Sequence, residues 1–489
     1  MRMGLARSSA RGAAINMVAI VIRIGLNILV VTPIVARILG PESFGLAAMA
    51  MTPFAFFLLF GDIGLSAALV RSHNPSKMLW STAFWATGIL GTCVLLIAIG
   101  TAGALSSFYH EPAVAPLARA LGIAMLFQVM MTIPVAWLQR EHQLHHVAIA
   151  DILSVTLAAI VSITAALLGA GVWALILQHI TLAGTKFTTI FFFAKLPLSM
   201  NFRWAEIAPM MGFSTRLTSS SLVSYFNTQT DTILVGRYLG TDAVGLYSRA
   251  YQLMQLPVQV IAHGMAFAAY PAMARVTHDR EWLSALYLKL ITAVSFMVFP
   301  MTFGLAVAAD PLILVLLGPK WIEIAPTFAV LTITGMTQSF VVNGTDLLMA
   351  DNRTDRILCW AIIRLVVLVP AFALGVYLGS VLWLALFFSV ASIVLLVPFQ
   401  MEINRRAGLG HRQMLARLLP SFVAALGMAA GVYVLKLWFY GLGLPALVAL
   451  PVLVLAGGAL YLGLLRLGAP AFLRDILGMA DHFRKSRAS

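Results

Sequence analysis

Long apolar segments separated by short polar ones follow one another from Ala13 almost to the C-terminus. The hydrocarbon core of a membrane is about 30 Å thick, and a helix that crosses it needs about 20 apolar residues. The pattern predicts an all-α integral membrane protein with fourteen transmembrane helices, called crossings 1–14 below. Their predicted bounds are 13–38, 44–70, 79–105, 113–138, 147–169, 171–195, 209–238, 243–270, 284–308, 322–349, 355–378, 380–402, 414–437 and 444–466.

The composition agrees with this pattern. Of the 489 residues, 61% are apolar and 10% are charged, whereas about a quarter of the residues of a soluble protein are charged. The two cysteines, Cys93 and Cys359, lie inside apolar segments and lack the spacing of metal ligands. We therefore expect no disulfide, no metal site and no cofactor.

The formal net charge of +14 raises the question of nucleic-acid binding. Most Lys and Arg residues fall in the loops and tails on the side of the N-terminus, as the positive-inside rule requires if both termini are cytoplasmic. The positive charge is thus explained by membrane topology, and we expect membrane lipids, not nucleic acid, as partners.

An internal repeat divides the chain. Residues 36–50 read ARILGPESFGLAAMA and residues 236–250 read GRYLGTDAVGLYSRA, with Arg, Leu and Gly identities at a constant offset of 200. Six predicted crossings separate the copies, so both copies have the same orientation in the membrane. We expect two six-helix lobes related by pseudo-two-fold symmetry, at 1–200 and 201–405, with 406–489 forming crossings 13 and 14 and a basic tail. The binding space is expected between the lobes.

Several motifs resemble one family. They are GPESFGLAAMA at 40–50, GDIGLSAALV at 61–70, GRYLGTDAVGLYSRAYQLMQLP at 236–257, LLGPKW at 316–321 and NGTDLLMADNRTD at 343–355. Together they are similar to the Wzx-type polysaccharide flippases of the multidrug/oligosaccharidyl-lipid/polysaccharide exporter superfamily. The resemblance implies a non-enzymatic protein of the bacterial inner membrane. It would flip an undecaprenyl-diphosphate-linked oligosaccharide to the outer leaflet by alternating access, for lipopolysaccharide or exopolysaccharide synthesis.

Alternatives stay open at this point. A lipid II flippase of the same superfamily would also need cations in its cavity. A multidrug exporter for cationic drugs would favour acidic residues there, and a membrane-embedded glycosyltransferase would need a larger segment outside the membrane than these short loops provide.

Charges inside the crossings are the candidates for substrate binding. A charged residue at the centre of a bilayer costs about 2.5–3.5 kcal/mol, so it normally faces protein or water. Arg23, Lys186 and Arg364 share a predicted depth of roughly 14 Å from the cytoplasmic edge, at about 1.5 Å per residue, and Arg216 is shallower. We expect these four cations to hold the diphosphate. The alternative is that they pair with carboxylates or extend to the interface.

Polar stripes accompany these cations. Residues on one face of crossings 1 and 7 are expected to line the cavity, or else to hydrogen-bond between helices; they are Asn16, Asn27, Ser220, Ser224 and Asn227. Asp62 and Asp231 are candidates either for coupling to a cation, proton or sodium, or for salt bridges.

The repeat also predicts two structural ties. Arg37 with Glu42, and Arg237 with Asp242, are expected to tie a hairpin at the outer surface. Each pair flanks a Leu-Gly helix end at which the glycine favours a left-handed C-cap.

Overall fold

The computed structural model describes residues 25–61, 65–72, 75–199, 202–208, 211–476 and 478. The regular structure in these ranges is helical. A π-helical turn, Leu26–Val31, precedes α1, a second one, Val258–Ala262, precedes α11, and a 3₁₀ turn, Pro319–Trp321, precedes α14. The α-helices are α1 Thr32–Ile38, α2 Pro41–Gly61, α3 Leu65–Arg71, α4 Lys77–Tyr109, α5 Val114–Met130, α6 Thr132–Arg140, α7 Leu144–Leu167, α8 Trp173–Ala194, α9 Trp204–Ile207, α10 Met211–Pro257, α11 His263–Arg275, α12 Arg280–Val307, α13 Ala309–Leu316, α14 Ile324–Ala350, α15 Thr354–Tyr377, α16 Val381–Ala407, α17 His411–Gly441 and α18 Ala446–Gly468.

Nine helical segments within the described ranges are long and apolar enough to cross a membrane. They are α4, α5 together with α6, α7, α12, α14, α15, α16, α17 and α18. The pair α1 and α2 passes the same test jointly but bends by 117°. The protein is therefore an all-helical, multi-pass membrane protein, and the count of fourteen crossings stays a prediction.

The predicted crossings 7 and 8 are two helical segments that meet at a kink. The segment α10 covers crossing 7 and much of crossing 8, and Gly240, whose φ of 86° and ψ of −177° are non-helical, divides it into two helices. The π-helical turn at 258–262 then interrupts crossing 8. Hydropathy reports how apolar a segment is but does not report its bends.

The two repeated glycines differ in conformation. Gly240 has a positive φ, in a region that only glycine enters readily, although its ψ is not that of a left-handed helix. Gly40 lies between α1 and α2 and is not among the glycines with positive φ. The predicted left-handed C-cap is therefore wrong for Gly40, and at Gly240 only the sign of φ agrees with it.

The chain forms two compact units, Met1–Gly245 and Leu246–Ser489, and the division falls within α10. In the second unit, α17 and α18 pack on α12. Ser421 of α17 donates to the carbonyl of Ser295 at 3.0 Å, and Tyr461 of α18 donates to the carbonyl of Phe296 at 3.0 Å. The core of this unit includes Tyr287, which is fully buried.

The secondary structure repeats at an offset of 210 in the helices that follow α4 and α12. Helices α7 and α15 have 24 residues each and begin at Leu144 and Thr354. The loops before them contain His142 with φ 55° and Asn352 with φ 54°. The offset of 200 that relates residues 36–50 to 236–250 therefore does not continue into this part of the chain.

An insertion explains the change of offset. Only residues 110–113 connect α4 to α5, whereas residues 308–323 connect α12 to α14 and form α13 and a 3₁₀ turn. Lys436 of α17 contacts this insertion, because its ammonium donates to the Val307 carbonyl at 3.0 Å and to the Asp310 carboxylate.

Close backbone contacts relate the two copies of the glycine motif. A Cβ added to Gly45 would overlap the carbonyl of Thr241, and one added to Gly245 would overlap the carbonyl of Pro41. Pro41 and Thr241 are also 200 residues apart. The contact of Gly45 with Thr241 therefore corresponds, residue for residue, to the contact of Gly245 with Pro41. Such reciprocity is the property of a contact on a two-fold axis.

Candidate functional site

A buried ion pair lies inside the α7–α8 hairpin. The ammonium of Lys186 is 2.6 Å from Oδ1 of Asp151, and the two side chains are 16% and 9% exposed. With so little exposure, neither charge is compensated mainly by water, so each needs the opposite charge of the other. Lys186, one of the predicted diphosphate ligands, thus has a carboxylate partner. Pairing with a carboxylate is the alternative that the sequence analysis gives for this charge.

The hairpin geometry places the two charges together. Helices α7 and α8 are joined by residues 168–172, where Gly169 and Gly171 have positive φ values of 80° and 57°. Asp151 lies seven residues after the start of α7, and Lys186 lies eight residues before the end of α8. At about 1.5 Å per residue, both lie roughly 10–12 Å from the same end of the hairpin.

Small polar side chains extend this contact along α7. Ser154 is buried and donates to the carbonyl of Asp151 at 3.0 Å. Nearer the turn, buried Ser162 donates to Oε1 of Gln178 in α8 at 3.3 Å. Small residues allow helices in a membrane to approach closely, and polar ones bond between them.

Aromatic packing fixes the rotation of α8. Phe187 stacks on Phe127 of α5 with ring centroids 5.6 Å apart, and Phe191 packs on Phe84 of α4 at 5.6 Å. Lys186 precedes Phe187 by one residue, which turns it about 100° around the helix. The face that carries Lys186 therefore meets α7, while the aromatic face meets α4 and α5.

Part of the predicted stripe of crossing 7 lies on α10. Asp231 is 3% exposed, and its Oδ1 accepts a hydrogen bond from the backbone N–H of Thr232 at 2.7 Å. Asn227 is half-buried and donates to the carbonyl of Val223 at 3.0 Å, whereas Ser224 is exposed. These contacts are within one helix and assign no ligand to the stripe.

The remaining predictions for crossings 1, 2 and 7 are not tested. Asn16, Arg23 and Asp62 lie outside the described residues. Of three others the description covers only the backbone, with Asn27 in the first π-helical turn and Arg216 and Ser220 in α10.

Arg364 lies on α15, in the second unit, ten residues after the helix begins. At about 1.5 Å per residue its depth is roughly 15 Å, and its side chain is half-buried. Lys186 and Arg364 belong to different units.

A second charged cluster joins the ends of α15 and α16. The carboxylate of Glu402 accepts two hydrogen bonds from Arg356, at 2.8 and 2.7 Å, and one from the indole of Trp360 at 2.8 Å. Arg406 adds a further bond to Glu402 at 3.0 Å and lies 3.4 Å from Asp351. We interpret this network as a structural clasp, because the carboxylate of Glu402 in α16 accepts charge-assisted hydrogen bonds from Arg356 and Trp360 of α15.

Sequence reasoning did not identify Asp151 or Glu402. The signal for Asp151 was weak, since the predicted bounds place it four residues inside crossing 5 and place Lys186 nine residues from the inner end of crossing 6. Hydropathy treats each charge separately and therefore cannot detect a pair.

The predicted tie between Arg237 and Asp242 is wrong. The guanidinium of Arg237 hydrogen-bonds to the imidazole of His110, which follows α4, and it lies 5.7 Å from the ring centroids of Phe108 and Tyr238. The ion pairs among the described residues do not include one to Asp242. An aromatic surface and an imidazole therefore replace the expected carboxylate.

A comparison with protein families identifies the chain. The model of the family described as "Polysaccharide biosynthesis protein" matches residues 34–326, more than half of the sequence. The chain belongs to this family. It is a membrane transport protein for polysaccharide biosynthesis, of the Wzx-type exporters, and not an enzyme.

Similar proteins can be aligned over most of the chain. The succinoglycan biosynthesis transport protein ExoT of Rhizobium meliloti (strain 1021) is 27% identical, over 94% of this chain and 93% of its own. The lipopolysaccharide biosynthesis protein WzxC of Escherichia coli (strain K12) is 25% identical, over 93% and 88%.

Two solved structures share the fold of this chain. The lipid II flippase MurJ in an inward closed conformation has a TM-score of 0.77 at 14% identity, with 94% of this chain and 99% of MurJ covered. An inward-facing multidrug resistance MATE transporter of the MOP superfamily has a TM-score of 0.57 at 17% identity, with 80% and 98% covered. At these identities the likeness concerns the fold alone.

Proposed function

We propose that this member of the polysaccharide biosynthesis protein family flips an undecaprenyl-diphosphate-linked oligosaccharide across the bacterial inner membrane by alternating access. The names of ExoT and WzxC, which refer to succinoglycan transport and lipopolysaccharide biosynthesis, support a glycan substrate. The observation that carries a diphosphate-linked substrate is a cation, Lys186, held by a carboxylate inside a membrane hairpin.

In this proposal the diphosphate competes with Asp151 for Lys186. A phosphate group offers charge-assisted hydrogen bonds comparable with those of a carboxylate, so the ammonium can change partner without becoming an uncompensated charge. The released Asp151 then takes up a proton or another cation. This role adds Asp151 to Asp62 and Asp231 as a candidate for ion coupling.

Arg23, Arg216 and Arg364 are proposed as further diphosphate ligands, from their predicted depth. The polar side chains of Asn16, Asn27, Ser220, Ser224 and Asn227 would line a hydrated path for the sugar. The proposed architecture keeps fourteen crossings, two pseudo-symmetric six-helix lobes at 1–200 and 201–405, and cytoplasmic termini. The reciprocal contacts of Gly45 and Gly245 support the pseudo-symmetry.

Two proteins of the same fold suggest alternative functions. The likeness to MurJ favours a lipid II flippase as the main alternative. A multidrug exporter has less support, because the predicted cavity charges are mostly cationic.

Paired neutralisation of Asp151 and Lys186 tests the proposal. In a strain whose own exporter gene is deleted, Lys186→Gln is expected to abolish polysaccharide export. The double variant Asp151→Asn, Lys186→Gln restores a neutral hairpin and should recover protein level and stability but not export. The measurements are surface polysaccharide, the lipid-linked glycan that accumulates in the inner leaflet, and protein level.

The exposed pair Arg417 and Asp475, 2.7 Å apart, is the matched control. Its double neutralisation should leave export unchanged, since exposed ion pairs contribute about 1 kcal/mol or less. Full export by the Asp151→Asn, Lys186→Gln variant would show that the pair is structural and would remove the observation on which the diphosphate site depends. Flipping of lipid II, but not of oligosaccharide-linked lipid, in proteoliposomes would favour the alternative.

A further inference from the structure

An apolar cavity of about 420 Å³ lies in the first unit, between α2, α4 and α5. Pro53 and Phe57 of α2, Ala102 and Phe108 of α4 and Met125 of α5 are among its lining residues. This volume lies within the range of small-molecule sites, roughly 300–1,000 Å³. Ala104 and Phe108 are exposed parts of the lining, so the cavity is open at the surface of α4.

A cation lies at one end of this cavity. Phe108, which lines the cavity, is the ring 5.7 Å from the Arg237 guanidinium. Arg237 also bonds to His110, and among the described residues no carboxylate lies within 4 Å of its guanidinium. Tyr238, 66% exposed, lies beside the same guanidinium.

An apolar cavity with a cation at one end matches an amphipathic lipid. The cavity lining is almost entirely hydrocarbon, whereas its end presents an Arg, an imidazole and aromatic side chains. Aromatic residues beside a cation are typical of the membrane–water interface. A guanidinium matches the geometry of phosphate oxygens and can bind two of them at once.

We infer that the cavity between α2, α4 and α5 binds one acyl chain of an anionic phospholipid, whose phosphate is held by Arg237 and His110. The apolar walls contact the acyl chain in place of other lipids, and the charge at the end of the cavity favours an anionic headgroup. By the predicted topology, this lipid belongs to the outer leaflet. The site does not depend on the proposed glycan substrate.

Lipid titration of the purified full-length protein in detergent tests the site. The probes are dioleoyl phosphatidylglycerol and dioleoyl phosphatidylcholine, which have the same chains, and the measurement is the rise of the thermal unfolding midpoint with lipid concentration. Phosphatidylglycerol should stabilise the protein saturably and at lower concentration than phosphatidylcholine. Arg237→Gln should weaken the apparent affinity for phosphatidylglycerol about tenfold or more, since it removes a charge-assisted bond to the phosphate. It should weaken phosphatidylcholine less, because the choline cation already compensates the phosphate of that lipid.

A steric variant tests the chain-binding part. Ala104→Phe should occlude the cavity and weaken both lipids, whereas Cys93→Phe, at an exposed position of α4 outside the lining, should weaken neither. Thr101→Phe, also in the exposed lining, serves if Ala104→Phe does not fold.

Three results would overturn the inference. In the first, Arg417→Gln lowers phosphatidylglycerol affinity as much as Arg237→Gln does, which indicates diffuse attraction to surface charge. In the second, folded Ala104→Phe or Thr101→Phe behaves like Cys93→Phe. In the third, undecaprenyl diphosphate stabilises the protein through Arg237 while phosphatidylglycerol does not, so that the occupant is the lipid carrier.

Discussion

In the α7–α8 hairpin, Asp151 and Lys186 meet about two turns inside the helices, whereas in the α15–α16 hairpin Glu402 joins the helices near their ends. At the offset of 210, Arg356 corresponds to His146, which stacks on Phe193 with centroids 4.4 Å apart. The end of the α7–α8 hairpin is thus held by aromatic packing, and the end of the α15–α16 hairpin by an ion network. A backbone repeated at an interval of 210 residues therefore carries two different distributions of charge.

The inner charges of the two hairpins also differ in kind. Arg364 corresponds to Ser154, one turn beyond Asp151. A charge near the centre of a bilayer is costly unless protein or water compensates it, and in the α7–α8 hairpin the Asp151 carboxylate compensates Lys186. The two hairpins therefore share a backbone and differ in the charges that it carries, and a role of these charges in transport stays a prediction.

The largest expected effect is at Arg364. Arg364→Ala should reduce polysaccharide export about tenfold or more, because a charge-assisted contact with phosphate is lost. Arg364→Lys should retain partial export, since the charge remains without the bidentate geometry. Export is measured as surface polysaccharide at equal protein level, with exposed Arg405→Ala as the control. Normal export by Arg364→Ala would mean that the two hairpins do not differ in a functional charge there.

A smaller effect, on stability, is expected at the hairpin ends. Glu402→Ala should lower the free energy of unfolding by about 2–3 kcal/mol, because Arg356, Arg406 and Trp360 lose a common acceptor that is only 16% exposed. His146→Ala, at the corresponding end, should cost only about 1 kcal/mol, the size of an aromatic contact. Unfolding in mixed detergent micelles measures both, and equal losses would contradict the assignment of the clasp to one hairpin.

The glycine contacts test whether the copies are equivalent elsewhere. Gly45→Ala and Gly245→Ala should each destabilise the protein by about 1–3 kcal/mol, since the new Cβ overlaps a backbone carbonyl. Gly100→Ala, with open space around it, should instead gain up to about 1 kcal/mol from helix propensity. If only one of the two repeated glycines proves sensitive, the contacts are not symmetric in energy.

The smallest effect concerns the turns. Gly169 and Gly379 have φ of 80° and 75°, and no atom lies within 4 Å of a Cβ added to either. Gly169→Ala and Gly379→Ala should therefore cost about 1–2 kcal/mol each, from backbone conformation alone. Thermal unfolding measures the loss of stability in each variant. If the two losses differ by more than about 1 kcal/mol, the two turns are not equivalent.

The sequence predicted the hairpins well because their helices are long and apolar. Predicted crossings 5 and 6, at 147–169 and 171–195, lie within three residues of the bounds Leu144–Leu167 and Trp173–Ala194. It did not predict the π-helical turn at 258–262, because a bend leaves the hydropathy of a segment unchanged. The insertion at 308–323 was also missed, since its apolar α13 continues the hydrophobic pattern of α12.

The candidate site was predicted only as single charges. Lys186 was identified from its depth, but its orientation toward Asp151 depends on the stacking of Phe187 and Phe191 against neighbouring helices. Such a rotation is decided by tertiary packing and has no signal in a window of sequence. Arg237 was misassigned for the same reason, because His110 lies 127 residues away in the chain.

The contact of Lys436 with the α13 insertion has a consequence for biosynthesis. Val307 and Asp310 are translated more than a hundred residues before the lysine that binds them. Domains generally fold as they emerge from the ribosome, beginning at the N-terminus, but this connection cannot close until α17 has entered the membrane. A chain that stops before α17 would therefore leave the insertion without its cation and expose it to quality-control proteases.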